Sequence, residues 1–313
     1  MKEIKKAQIL AFAKSLLVNH NVYLPTRKNS DFVFEKLDPD TELINLKPVL
    51  TILPPKKFLI PHNEKIFSVH DEEIDFSNTA GKTNVILGIN SFDIHAISIL
   101  DQVMTKPKTD TYYAKRRKNL ILIGVGPERI NIANSGYDIF LEETNDSYLA
   151  IEATVVGKGI IKQNKLFVTT DKKPKKILSF KDPLFNDLDK IQEKLKTSFK
   201  SKIWERIAET CFGCGICAYV CPLCYCNEFE DNFCNNCATR SKKWDSCFLP
   251  NFFEVAGHNP RENLPDRIYN WYYHKFVRFP KEYGHIGCVD CGRCIEYCPA
   301  KINFKEVLRE LIK

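Results

Sequence analysis

The first 210 residues of this chain of 313 contain no cysteine, and all 13 cysteines lie at or after Cys211. The number is odd and the spacings are those of ligands, so a disulfide framework is not expected. The opening M-K-E-I-K-K-A-Q-I-L has neither an apolar signal core nor a cleavage site. No run approaches the ~18 apolar residues that span a bilayer. A cytoplasmic chain with no membrane attachment is therefore expected, in a reducing compartment that spares thiolate ligands. No G-x-G-x-x-G occurs: Gly124 and Gly126 are followed at once by Pro127, which disfavours a dinucleotide loop. There is also no flavin motif, no acid–base constellation and no open metal position, so the usual strategies of a self-sufficient catalyst are missing.

What remains is a foldable chain with one dense region of sulfur. It is 44% hydrophobic and 27% charged, enough for a real core, and its length suggests about two domains. The net charge of +7 is spread along the sequence. That fits a solvated lysine-rich surface or an acidic protein partner better than nucleic acid.

The sulfur region opens with C-F-G-C-G-I-C-A-Y-V-C-P at 211–222, and C-V-D-C-G-R-C-I-E-Y-C-P repeats the same spacing at 288–299. This is the bacterial-ferredoxin run, C-x2-C-x2-C-x3-C-P. Three thiolates on one tight loop take three corners of a [4Fe–4S] cube. The fourth cysteine is expected to start a short helix that points away, toward the other cube. Gly213 and Gly215 allow positive φ and a close wrap. By this cross-over, Cys211, Cys214, Cys217 and Cys298 hold one cluster, and Cys288, Cys291, Cys294 and Cys221 hold the other. Structural zinc is the alternative, although zinc sites more often use two C-x2-C pairs.

Between the runs, residues 223–287 form a long insertion carrying five further cysteines. Cys226, Cys234, Cys237 and Cys247 are a candidate third site for zinc or another [4Fe–4S] cluster, with free thiols as the alternative. The aromatic and basic stretch R-I-Y-N-W-Y-Y-H-K-F-V-R-F (267–279) reads as core or interface packing, and secondarily as a nucleic-acid surface. His274 is expected to be a hydrogen-bonding structural residue.

Upstream, residues 2–18 have helical spacing and 21–37 suggest a β-hairpin, with a strand ending the stretch 54–69. Asn84–Gly88, Ser91–Met104 and Leu120–Val125 form a β-α-β pattern, which implies parallel pairing. Further strands are expected at Tyr137–Glu142 and Tyr148–Val156, the latter ending at a G-K-G turn. Lys158, Lys162, Lys165, Lys172, Lys173, Lys175, Lys176 and Lys181 make a basic stretch, read as a solvated face or an acidic-partner dock. A single helical pattern runs from Asn186 to Ala208. The expected fold is mixed α/β (α+β): an N-terminal α/β scaffold domain over 1–200, then a ferredoxin-like dicluster domain over 201–313.

The segments C-P-x-C-x-C, W-D-S-C-F, G-H-N-P-R and W-Y-Y-H-K-F, set between the two runs, resemble the A subunit of anaerobic sulfite reductase and the β subunit of sulfhydrogenases (group 3b [NiFe] hydrogenases). P-K-K-F-L-I-P-H-N-E-K-I-F (55–67), G-I-N-S-F-D-I-H-A-I (88–97) and D-T-Y-Y-A-K-R-R-K-N-L-I-L-I-G (110–124) extend the resemblance over nearly the whole chain. It departs at Phe92, where family members often carry a cysteine, and the chain lacks thiols for any centre the family holds in that half. Cys234 and Cys237 stand as an addition. The resemblance implies an electron-transfer subunit with two [4Fe–4S] clusters, rather than a catalyst. Its partners would be a flavin and NAD(P)-binding subunit and a catalytic oxidoreductase subunit, with no membrane and no nucleic acid. The alternative class is a nucleic-acid-associated iron–sulfur or zinc protein.

Overall fold

The computed structural model describes residues 1–44, 46–71, 73–76, 81–127, 136–175 and 182–313. In chain order the strands are β1 (Lys2–Lys5), β2 (Asn21–Lys28), β3 (Asp31–Lys36), β4 (Asn63–His70), β5 (Glu73–Phe76), β6 (Asn84–Ile89), β7 (Leu120–Gly126), β8 (Ile139–Glu143), β9 (Ser147–Glu152), β10 (Val168–Thr169), β11 (Asn227–Cys234) and β12 (Cys237–Trp244). The α-helices are α1 (Ile9–Leu16), α2 (Ser91–Val103), α3 (Thr111–Lys118), α4 (Val155–Gln163), α5 (Leu188–Thr197), α6 (Lys202–Ala208), α7 (Ile216–Tyr219), α8 (Leu264–Tyr273), α9 (Phe279–Tyr283), α10 (Arg293–Glu296) and α11 (Phe304–Leu311).

These elements form two compact units, neither of them continuous in sequence. One comprises Met1–Pro55 and Thr79–Phe180, the other Lys56–Asn78 and Lys181–Lys313. This differs from a single cut near residue 200. The helices after residue 187 bury their apolar faces in the cysteine-bearing unit, and β4 and β5 join a sheet there.

The first unit is built on an eight-stranded sheet in the order β10-β1-β9-β8-β7-β6-β2-β3. β2, β6, β7 and β8 run parallel, and the expected β-α-β unit is β6, α2 and β7. β7 is buried at every residue, as a parallel strand covered on both faces should be. Asn90 caps α2 by accepting from the Asp93 amide at 2.9 Å, a satisfied first-turn donor. Gly124 is a packing position: a Cβ there would lie 2.6 Å from Ile94 and Phe140. Two local readings change. Lys2–Lys5 pairs with β9 and β10, so the α-helix begins only at Ile9, after a 3-10 turn at Lys6–Gln8. The G-K-G expected to be a turn lies inside α4, which Thr154 caps. Within the basic stretch, Lys172 is paired with Glu3 at 2.7 Å, while Lys176 and Lys181 lie outside the described residues.

In the second unit, β11-β12-β4-β5 form an antiparallel sheet. Its helical part buries Ile191, Leu195, Trp204, Ile268, Phe276 and Leu308 in one core. The single helix expected over 186–208 is two, α5 and α6. They are broken where Ser198 accepts the Trp204 indole N–H at 2.6 Å and Ser201 caps α6. Among the described residues no helix is long and apolar enough to cross a membrane.

Candidate metal centres

Each cysteine run folds into a loop followed by one short helical turn. The third cysteine of each run, Cys217 or Cys294, rides on that turn (α7 or α10), and the fourth, Cys221 or Cys298, follows it. The fourth cysteine therefore ends the helix, where the sequence suggested it would start it. The two loops repeat each other in backbone. Gly213 and Gly215 have φ of 62° and 74°, and their counterparts Asp290 and Gly292 have 60° and 80°. Asp takes the left-handed conformation more readily than most residues with a side chain, which explains how it replaces the first glycine. At Gly215 a Cβ would also lie 2.6 Å from the Ser246 hydroxyl. Backbone amides point at sulfur: Gly213 to Cys211 at 3.5 Å, Leu223 to Cys221 at 3.4 Å, Asp290 to Cys288 at 3.3 Å and Ile302 to Cys298 at 3.4 Å.

Five of the eight run cysteines, Cys211, Cys214, Cys217, Cys294 and Cys298, line one apolar cavity beneath α8. Burial pushes the Cys217 thiol up, and Cys211, Cys214 and Cys298 add to the shift. Burial likewise pushes Cys288 up to about 12. Cys294 is raised by burial and then by Cys288, Cys221 and Cys291. Cys221 is held well below the usual thiol range, first by a hydrogen bond from Cys224 and then by Lys275 and Lys56.

The residues present fit iron–sulfur clusters. Two donors, Arg267 Nε and Trp271 Nε1, are buried without a partner among the described residues. Trp271 lines the first cavity, and Arg267 is close enough to Cys211 for their charges to interact. Unpaired buried donors are costly, and sulfur acceptors of a bound cluster would satisfy them. The thiols that burial raises are also deprotonated outright when they coordinate metal.

Two lysines were missed as site residues in the sequence, although both sit in the quoted segments P-K-K-F and H-K-F. Lys275 is 5% exposed and donates to Cys221 Sγ at 3.2 Å and to the Gly287 carbonyl at 2.8 Å. It lies on a π-helical turn, His274–Arg278, between α8 and α9, a geometry frequent at functional sites. Gly287 permits the approach, because a Cβ would lie 3.0 Å from the Lys275 Cα. Lys56 is 3% exposed, donates to the Cys224 and Ala218 carbonyls at 2.6 and 3.3 Å and sits 4.5 Å from the Trp244 ring centroid. A cation within an otherwise aromatic and apolar segment was the available signal.

The four-cysteine grouping of Cys226, Cys234, Cys237 and Cys247 does not form. Cys234 and Cys237 face each other at the closed end of the β11–β12 hairpin as a disulfide, Cα–Cα 4.9 Å. Cys226 lies just before the open end, where Asn227 pairs with Trp244, and is hydrogen-bonded to Cys247. Eight ladder positions separate the pairs, on the order of 25 Å at ~3.3 Å per residue. The 267–279 segment is core: Arg267, Ile268, Trp271, Tyr272, Lys275, Phe276 and Phe279 are buried. This removes the basis for a nucleic-acid surface there. The His274 imidazole has no hydrogen-bond partner among the described residues, contrary to expectation, and packs near Tyr225 and Phe279.

Comparison with known proteins agrees with this geometry. Residues 210–302 match a family described as a 4Fe-4S dicluster domain. The chain is 38% identical over 312 residues to sulfhydrogenase 2 subunit beta of Pyrococcus furiosus, covering 93% of this chain and 92% of that protein. It belongs to the sulfhydrogenase β-subunit family. No solved structure matches. The fold is thus mixed α/β with a C-terminal iron–sulfur domain, as its sequence indicated.

Proposed function

We propose that this chain relays electrons inside a multi-subunit oxidoreductase, between a flavin and NAD(P)-binding partner and a catalytic partner of the hydrogenase or sulfite reductase type. The observation that carries the reading is the C-x2-C-x2-C-x3-C-P run, present at 211–222 and again at 288–299, within the segment that matches a 4Fe-4S dicluster domain. Cys211, Cys214, Cys217 and Cys298 would hold one [4Fe–4S] cluster, and Cys288, Cys291, Cys294 and Cys221 the other. Bound clusters of this kind supply one-electron storage. With four protein thiolates each, neither cluster has a free corner for substrate. The shared runs keep the two sites close enough for electron exchange. Amide N–H groups and Lys275 direct positive charge at the ligand sulfurs, which stabilises the more negative reduced state. The name of the Pyrococcus relative, a subunit of a larger enzyme, supports the idea that partners supply the catalysis.

Two experiments test this. Cys221→Ser should damage the cluster held by Cys288, Cys291 and Cys294 and spare its sequence neighbour, as read by EPR of the reduced chain. Loss of the nearer cluster refutes the crossed assignment. Omitting this chain from a reconstituted complex should stop NAD(P)H-driven turnover. Full-rate turnover without it, or unaided substrate reduction by the purified chain, overturns the relay.

A further inference from the structure

Three cysteines remain outside the two crossed sets and the hairpin disulfide: Cys224, Cys226 and Cys247. All three line one cavity of about 450 Å³, together with His274, Lys275 and Trp271. That volume is many times the ~30 Å³ occupied by one water in the liquid, so it suits a group of several atoms. Among the described residues no cluster of cysteine, histidine or carboxylate is compact enough to hold a single ion.

The surroundings point independently to an anionic occupant. Lys56 is buried with no carboxylate partner among the described residues, and the sulfurs of Cys224, Cys221 and Cys226 are its strongest charged neighbours. A buried ammonium is unfavourable unless it is compensated. Cys221 and its cluster account for Lys275, whereas Lys56 donates directly to the Cys224 carbonyl. The buried, unpartnered Trp271 indole N–H lies in the wall shared by this cavity and the first cluster's. His274, whose ring nitrogens also lack a partner, offers a nitrogen donor.

We propose that Cys224, Cys226 and Cys247, with His274 as fourth ligand, hold a third iron–sulfur cluster in this cavity, beside the two of the ferredoxin-like runs. The site is distinct from the four-cysteine set read from the sequence, since Cys234 and Cys237 take no part. It would extend the electron path toward β11 and β12. Cys247 is close enough to Cys217, a ligand of the first cluster, for their charges to interact, so the third site adjoins the first.

The test uses the full chain, purified without oxygen. Iron and acid-labile sulfide should each be near twelve per chain, at four per cluster, with a third spin system on reduction. The double variant Cys226→Ser/Cys247→Ser should fall to near eight while the other two EPR signals keep their shape, which shows that the domain has folded. His274→Ala should yield a three-iron signal on oxidation at the third site alone. A wild-type content near eight, or a double variant with unchanged iron, overturns the third cluster. Zinc in place of the missing iron overturns it as well. A four-iron third cluster persisting in His274→Ala overturns the imidazole ligand. The two-cluster reading fails separately, by iron well below eight or by Cys221→Ser damaging the nearer cluster.

Discussion

A lysine buried against a thiolate acts twice. Removing the ammonium of Lys275 from water disfavours folding before iron arrives, and its charge would then favour the more negative, reduced state of the cluster proposed to bind Cys221. Lys275→Met keeps the stem and removes both donors. We expect the cluster of Cys288, Cys291, Cys294 and Cys221 to shift to a lower reduction potential, with the Cys211 cluster shifting less. An EPR-monitored redox titration checks this, and equal shifts in both clusters would contradict it. Trp271 and Arg267 show a different residue-scale effect. Their buried N–H groups have no partner among the described residues, and a non-protein acceptor beside them would satisfy both.

At the scale of elements, α11 closes the core of the second unit through Phe304 and Leu308, both buried. Leu308 is fully enclosed, so Leu308→Ala should cost about 3 kcal/mol of stability, measured by denaturant unfolding of the cluster-loaded chain. Cluster EPR should be retained under native conditions. Strand β1 gives a pH prediction. Glu3 is held below the usual carboxylate range, first by the hydrogen bond from Lys172 and then by Ser147. A lowered carboxylate stabilises above its unfolded value and loses that contribution as pH falls through its folded value. Amide protection in β1 and β9 should therefore be pH-independent near neutrality and weaken below about pH 4.5. Glu3→Gln should reduce it by 1 kcal/mol or less at neutral pH, in the range of surface pairs, and flatten the acid response. Hydrogen exchange at these strands makes the comparison. The β11–β12 hairpin gives a third prediction. Cys234→Ser/Cys237→Ser should leave iron content unchanged, because the disulfide lies at the far end of the ladder from Cys226.

At the scale of the molecule, every cysteine lies in the second unit. Metal-binding free energy is also folding free energy, so removing iron should destabilise that unit selectively. Hydrogen exchange on the iron-free chain should show lost protection in α6–α8 and retained protection in β6 and β7. Simultaneous loss in both would mean that the units fold as one. The split was not legible in advance because each unit takes two separate stretches of chain. Residues 56–78 carry no cysteine and little helical signal. They join the second unit only because β4 pairs with β12, as in Val69 opposite Ala238, a match between strands far apart in sequence. By contrast β7, an unbroken apolar run, could be recognised as a buried strand from its own residues.

The sequence by itself determined the sulfur chemistry. Three cysteines within seven residues reach only one small group, a fourth follows them, and the pattern occurs twice; these are local, covalent constraints. It also determined the parallel β-α-β centre of the first unit, since apolar periodicity reports burial directly. Only the tertiary structure decided how the extra thiols are shared, with Cys234 and Cys237 sent to the hairpin tip while Cys224, Cys226 and Cys247 are left around one cavity. It likewise decided that Lys56, 168 residues from Cys224 in sequence, donates to that residue's carbonyl. The physical reason is that burial and charge compensation depend on which distant segments pack together, and neither a cysteine's spacing nor a lysine's neighbours along the chain record that.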